Sequence, residues 1–197
     1  MKKSTKTFFI IPGFKEQASA HQYQWLVTFI KSKGWKTVEV PVAWNNQTLS
    51  QNADEFRDFY SQHKSVRNQI LGFSYGAVIA LLSAESLGPE HIYLCSLSPD
   101  FKEDVASMPP WIKKYIGKKR YDDVLTRGAQ KIAKNLSVPA TIFYGEVEGC
   151  EYPNLKTRCE ETAQLAKRAR LITIPEAPHQ INFPTYQVAI IKELSLK

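Results

Sequence analysis

The sequence predicts an α/β protein built as a three-layer sandwich, in which a mostly parallel sheet of about six strands carries helices on both faces. Short apolar runs alternate with longer segments in which apolar residues recur every three or four positions. These are the patterns of buried strands and amphipathic helices. The content of 43% hydrophobic and 12% aromatic residues is typical of a globular chain. Strands that alternate with helices favour a parallel sheet, and 197 residues suit one domain over 1–197.

Six short apolar segments are the predicted strands. In chain order they are Thr7–Ile11, Trp35–Val42, Val66–Leu71, Ile92–Leu97, Ala140–Tyr144 and Leu171–Ile174. Apolar residues at helical spacing follow most of these strands, at 18–33, 49–60, 76–87, 125–136, 155–166 and 188–194. Gly34 and Gly88-Pro89 end two of the helices, because glycine tolerates the left-handed conformation there and proline cannot continue a helix.

The regular alternation is interrupted after the fourth strand. Segment 99–121 is longer than the usual strand–helix connection and is rich in proline and aromatic residues. We expect it to form a small cap or lid in which Met108, Trp111 and Tyr115 line a substrate pocket. The alternative is that these apolar side chains only pack onto the body of the domain.

Charge and cysteine content restrict the function classes. The net charge is +7, and the segment from Trp111 to Lys134 holds eight Lys and Arg against two Asp. No aromatic array or nucleic-acid motif accompanies this charge, so a solvated helical surface is favoured over nucleic-acid binding.

No apolar run approaches the roughly 20 residues of a membrane span. Cys95, Cys150 and Cys159 lack metal-ligand spacing and are odd in number, which predicts free thiols in a cytoplasmic protein.

The sequence Gly72-Phe73-Ser74-Tyr75-Gly76 joins the third strand to the next helix. A serine on such a tight turn stands clear of its own backbone, and flanking glycines let strand and helix approach closely. The amide of Tyr75 would lie at the helix N-terminus, where it could stabilise an oxyanion above Ser74. We therefore expect Ser74 to be a nucleophile, although the same motif can be a turn without chemistry.

A serine nucleophile needs a base, and the position of each histidine relative to the strands narrows the choice. His63 and His91 precede strands, so they are expected on the opposite edge of the sheet and at the surface. His21 follows the first strand at a distance, whereas His179 follows the last strand directly. His179 is therefore the predicted general base.

The third group should be a carboxylate that orients the imidazole. Glu148 follows the fifth strand and lies between nucleophile and base in chain order, so it is the first choice. Asp100, directly after the fourth strand, is the main alternative, and Glu146 is the third candidate.

These residues resemble those of the α/β-hydrolase superfamily, whose nucleophile, acid and base follow the same order as Ser74, Glu148 and His179. The resemblance implies an oxyanion hole made by the amides of Phe14, after the first strand, and Tyr75. The chain departs from the family by lacking two initial strands and by carrying Glu where Asp is commoner.

The sequence thus predicts a serine hydrolase that cleaves a small ester-like or thioester bond through an acyl-enzyme intermediate. Its expected partner is a small-molecule acyl substrate, and no metal or organic cofactor is expected. Alternatives are a catalytically weak binding protein with the same fold, or a peptidase or acyl transferase using the same residues. The sequence does not indicate an oligomeric state.

Overall fold

A computed structural model describes residues 5–196 and contains one parallel sheet of six strands in the order β2-β1-β3-β4-β5-β6. The strands are β1 Lys6–Ile11, β2 Lys36–Glu39, β3 Arg67–Phe73, β4 His91–Cys95, β5 Ala140–Gly145 and β6 Ala169–Ile174. Every neighbouring pair is parallel. The predicted architecture is therefore confirmed, and the sheet is wholly rather than mostly parallel.

Strand limits differ from the predicted ones mainly where the chain leaves the sheet. β4 ends at Cys95 instead of Leu97 because Ser96 has a φ of 55°, which extended backbone does not adopt. β2 is an edge strand of four residues, much shorter than the predicted Trp35–Val42. β3, in contrast, continues two residues further than predicted, directly up to Ser74.

Eight helices and one short 3₁₀ helix at Lys102–Ser107 connect the described strands. The helices are α1 His21–Ser32, α2 Leu49–His63, α3 Tyr75–Leu87, α4 Pro110–Thr126, α5 Ala129–Asn135, α6 Glu146–Glu151, α7 Pro153–Leu165 and α8 Pro184–Ser195. α4 is kinked at Gly117, whose φ of 76° is not helical. The helix predicted over 125–136 is in fact the end of α4 followed by α5, since the backbone at Arg127 and Gly128 is extended.

The two faces of the sheet bury separate hydrophobic clusters. Along β1, Phe9 and Ile11 face one cluster and Phe8 and Ile10 the other, as the two-residue period of a strand requires. The first cluster is completed by residues of α2, α3, α5 and α7, and the second by α1 and α8. Burial on both faces explains why the central strands are continuous apolar runs.

His91 corrects one prediction about the edge opposite Ser74. It begins β4 as expected, but it is 4% exposed rather than a surface residue. Its Nε2 atom lies 2.9 Å from the hydroxyl of Thr141, which in turn donates to Glu193. These polar partners satisfy an imidazole that the neighbouring strand and α8 cover.

Candidate active site

Ser74 occupies a strained turn between the central strand β3 and α3. Its φ of 53° and ψ of −114° lie in a region that non-glycine residues rarely adopt, at a cost of roughly 1–3 kcal/mol. The amide of Ser74 donates to the carbonyl of Cys95 at 2.8 Å, which fixes the turn against the end of β4. The turn therefore holds the hydroxyl at the carboxyl edge of the sheet.

Two glycines make this turn possible by removing side chains where backbones touch. A Cβ on Gly72 would lie 2.2 Å from the carbonyl oxygen of Gly76, and one on Gly76 would lie 2.3 Å from that of Ile11. Such distances do not occur between real atoms, so the start of α3 packs directly on the end of β1. This contact brings the loop after β1 next to Tyr75.

The histidine that the sequence predicts as the base lies beside Ser74. His179 Nε2 is 3.1 Å from Ser74 Oγ, and His179 Nδ1 is hydrogen-bonded to Glu148 Oε1. The Phe73 ring packs on the imidazole with a centroid separation of 4.9 Å, and the Tyr152 ring approaches it edge-on at 5.9 Å. The structure therefore joins Ser74, His179 and Glu148 in one continuous hydrogen-bonded chain.

Glu148 is held rigidly, because it is completely buried at the first turn of α6. Its Oε2 atom accepts a hydrogen bond from the amide of Gly145 at 2.8 Å, while its own amide donates to Ala177 at 3.2 Å. A Cβ on Gly145 would lie 2.0 Å from the Ala177 carbonyl oxygen. The end of β5 and the loop that carries His179 are thus in direct main-chain contact, with no side chain between them.

The two carboxylates that the sequence left as alternatives have other surroundings. Glu146 is exposed and accepts a hydrogen bond from the amide of Glu176 at 3.3 Å. Asp100 is half-buried in the cavity wall, and burial raises the pKa of its carboxyl from 3.8 to about 6. The nearby Arg127 guanidinium opposes this rise in pKa, and the charge of Asp104 adds to it.

Ser98 is a polar neighbour of Ser74 that the sequence reasoning missed. Its Oγ lies 3.2 Å from Ser74 Oγ. A Glu148 carboxylate can only accept, so His179 carries its proton on Nδ1, Nε2 accepts from Ser74, and Ser98 is left to donate to Ser74. Its position soon after β4, at the same edge of the sheet as Ser74, is the signal that could have identified it.

Phe14 and Tyr75, the expected oxyanion-hole residues, lie side by side. Their ring centroids are 5.3 Å apart, and Trp44 packs against both rings. Within residues 5–196, neither main-chain amide donates a hydrogen bond to a protein acceptor. Both amides are therefore free to donate to a ligand, and that of Tyr75 lies at the N-terminus of α3.

A cavity of about 600 Å³ opens above Ser74 and His179. Among the predicted pocket residues, Met108 and Trp111 line it, together with Phe14 and Leu155. Tyr115 instead lies outside the lining, where its hydroxyl accepts a hydrogen bond from Lys15 Nζ at 2.9 Å. The beginning of α4 thus contributes to the lining of the cavity, whereas the turn that carries Tyr115 faces the loop after β1.

Residues 5–196 contain neither a candidate metal site nor a candidate membrane span. In that range no group of three His, Cys, Asp or Glu side chains could hold a metal ion. None of the helices there combines the length and apolarity that crossing a bilayer requires. Cys95 and Cys159 are buried free thiols, and Cys150 is an exposed one.

Comparisons with solved structures show several proteins with the same architecture. Est1E from Butyrivibrio proteoclasticus superposes with a TM-score of 0.79 at 16% identity, covering 98% of this chain and 88% of that one. Alpha/beta hydrolase domain-containing protein 10 from mouse superposes with a TM-score of 0.74 at 12% identity, covering 96% of this chain and 88% of that one. MenH from S. aureus superposes with a TM-score of 0.66 at 12% identity, covering 98% of this chain and 93% of that one. No protein-family model and no curated protein matches the sequence.

Proposed function

We propose that this chain, which has the α/β-hydrolase fold, is a serine hydrolase that cleaves small ester-like or thioester bonds. The observation that carries the proposal is the hydrogen-bonded chain from Ser74 through His179 to the buried Glu148. A hydroxyl, an imidazole and an acceptor carboxylate in that order form the arrangement that activates serine as a nucleophile.

In the first half of the reaction, Ser74 Oγ attacks the acyl carbon while His179 Nε2 takes the hydroxyl proton. Glu148 stabilises the resulting imidazolium without itself becoming protonated. Collapse of the tetrahedral intermediate breaks the bond to the leaving group, which receives the proton from Nε2. Water then attacks the acyl-serine with His179 again as base, and the acid and free Ser74 are formed.

The oxyanion of each tetrahedral intermediate needs donors that are already in place. The free amides of Phe14 and Tyr75 would supply them, each contributing roughly 2.7–4 kcal/mol by analogy with known donors. The dipole of α3 adds positive potential at Tyr75. Close packing of the start of α3 on the end of β1 supports this assignment, because it brings the loop that carries Phe14 next to Tyr75.

The test is labelling with a fluorophosphonate probe, which forms a covalent bond with activated serines. Native protein should be labelled, Ser74→Ala should not, and Ser61→Ala, the same change at an exposed serine of α2, should be labelled like the native protein. Heat-denatured native protein should remain unlabelled. A folded native protein that resists the probe, or equal labelling of Ser74→Ala, would contradict the proposal and favour a binding protein with this fold.

The cap proposed over residues 99–121 is tested through Trp111, which lines the cavity while remaining 67% exposed. An aromatic ring at the mouth would contact the distal part of a longer acyl chain and hardly touch a short one. Trp111→Ala should therefore lower kcat/KM for a 4-nitrophenyl octanoate about tenfold and change that for the acetate less than twofold. Equal losses on both esters with a lowered Tm would assign Trp111 to stability alone.

A further inference from the structure

We propose that Asp100 is a specificity-determining residue that selects substrates carrying an ammonium group. The inference rests on the proposed function and specifies which acyl substrates the site takes. Asp100 lies in the wall of the cavity that contains Ser74 and His179. It follows Ser98 by two residues, so its backbone is within about 7 Å of that residue, whose hydroxyl touches the nucleophile.

The lining of this cavity is acidic in an otherwise basic protein. Among residues 5–196, the cavity is lined by Asp100, Asp104 and Glu151 but by no Lys or Arg. The net charge of the chain is nevertheless +7. The local charge at the site is therefore opposite in sign to that of the whole molecule.

Two of the three carboxylates are accounted for without a ligand. Asp104 is paired with the buried Arg158, whose Nε lies 3.2 Å from both carboxylate oxygens, and it also accepts from the amide of Phe101. Glu151 is exposed at the rim, where water solvates its charge. Neither needs a substrate group to balance it.

Asp100 differs because its carboxylate has no partner among the described residues. No hydrogen bond or ion pair from residues 5–196 reaches its side-chain oxygens. The nearby Arg127 donates instead to the Asp100 main-chain carbonyl, at 3.1 and 3.3 Å, and pairs with the carboxylate of Asp123. A partly desolvated carboxylate without a partner gains most from a cation that arrives with the ligand.

Three cationic residues of α4, Lys118, Lys119 and Arg120, make contacts with protein groups outside the cavity lining. Lys119 donates to the carbonyl of Asn46 at 2.7 Å, and Arg120 donates to that of Gln47 at 2.9 Å. Lys118 is paired with Asp122 on the outer surface of α4. The charges of Lys119 and Arg120 are thus held beside the loop before α2 and not in the cavity lining.

The remaining walls define the rest of the ligand. Met108, Trp111, Ile112 and Leu155 contribute apolar surface to the same cavity. A substrate of this site would therefore combine a short apolar chain with an ammonium group, on the acyl side or on the leaving group. An amino acyl ester and a choline-type thioester both have that chemistry.

The experiment compares charged substrates with uncharged isosteres at pH 8, where Asp100 is ionised. The acyl pair is 4-nitrophenyl 6-aminohexanoate and 4-nitrophenyl heptanoate, and the leaving-group pair is butyrylthiocholine and its 3,3-dimethylbutyl thioester isostere. In at least one pair, native protein should prefer the ammonium substrate about tenfold or more in kcat/KM. The acidic 4-nitrophenyl adipate should be hydrolysed more slowly than the heptanoate.

Asp100→Asn should reduce the preference for the ammonium substrate to within twofold, whereas Asp122→Asn, the same change at an exposed carboxylate of α4, should leave it unchanged. No ammonium preference in either pair for native protein, or an unchanged preference in folded Asp100→Asn, would overturn the inference. A preference for the adipate would do so too. In each of those cases, fluorophosphonate labelling of native Ser74 would still support the proposed function; absent labelling would reject that function instead.

Discussion

Replacing His179 with alanine is expected to lower kcat for ester hydrolysis by about 10⁴–10⁶. The imidazole is the group in contact with both Ser74 Oγ and Glu148, so its removal takes away the base for attack and the acid for the leaving group. Stability should change little, because His179 is partly exposed in a loop and packs mainly on one face of Phe73. The measurement is steady-state hydrolysis of a 4-nitrophenyl ester, together with a thermal melt.

His21→Ala is the matched control, since His21 is exposed at the start of α1 and also follows a strand along the chain. Its turnover should stay within twofold of the native value. A large loss in His21→Ala with little loss in His179→Ala would show that the base had been assigned to the wrong strand end.

Glu148→Gln should lower kcat by about 10²–10⁴ with a smaller effect on KM. The amide of glutamine keeps the size of the side chain and can still accept a hydrogen bond from Gly145. It no longer carries the charge that stabilises the imidazolium, and it allows the tautomer with the proton on Nε2, where Ser74 needs an acceptor. Pre-steady-state kinetics would show the loss in the acylation step.

Glu146→Gln provides the control on the same short helix, at an exposed carboxylate that binds the amide of Glu176. It should retain nearly full turnover. If Glu148→Gln were active while Asp100→Asn lost all turnover on neutral esters as well, the acid would belong after β4, which was the alternative that the sequence left open.

Much of the fold could be predicted because strand and helix periodicities are local properties of the chain. All six strands were found, since each is a short apolar run between polar turns. The end of β4 could not be found, because Ser96 has a positive φ that no glycine or asparagine in the sequence signals. Likewise, the burial of His91 depends on Thr141, which is 50 residues away.

The proximity of Ser74 and His179 was predictable for a topological reason. In a parallel sheet all carboxyl strand ends meet at one edge, so position after a strand was enough to select His179 and to discard His63. The choice between Glu148 and Asp100 was not decidable in that way, because both follow strands adjacent in the sheet. It required side-chain contacts, as did the exclusion of Tyr115 from the cavity and the finding of Ser98.

The position of β6 has a consequence for how this protein should lose activity on heating. β3, which carries Ser74, lies between two partner strands, whereas β6, which leads to His179, is paired on one side only. Edge segments open with lower free energy than central ones. Local opening of that edge would move His179 away from Ser74 while the turn between β3 and α3 stays folded. Inactivation should therefore begin below the temperature of global unfolding and should reverse on cooling.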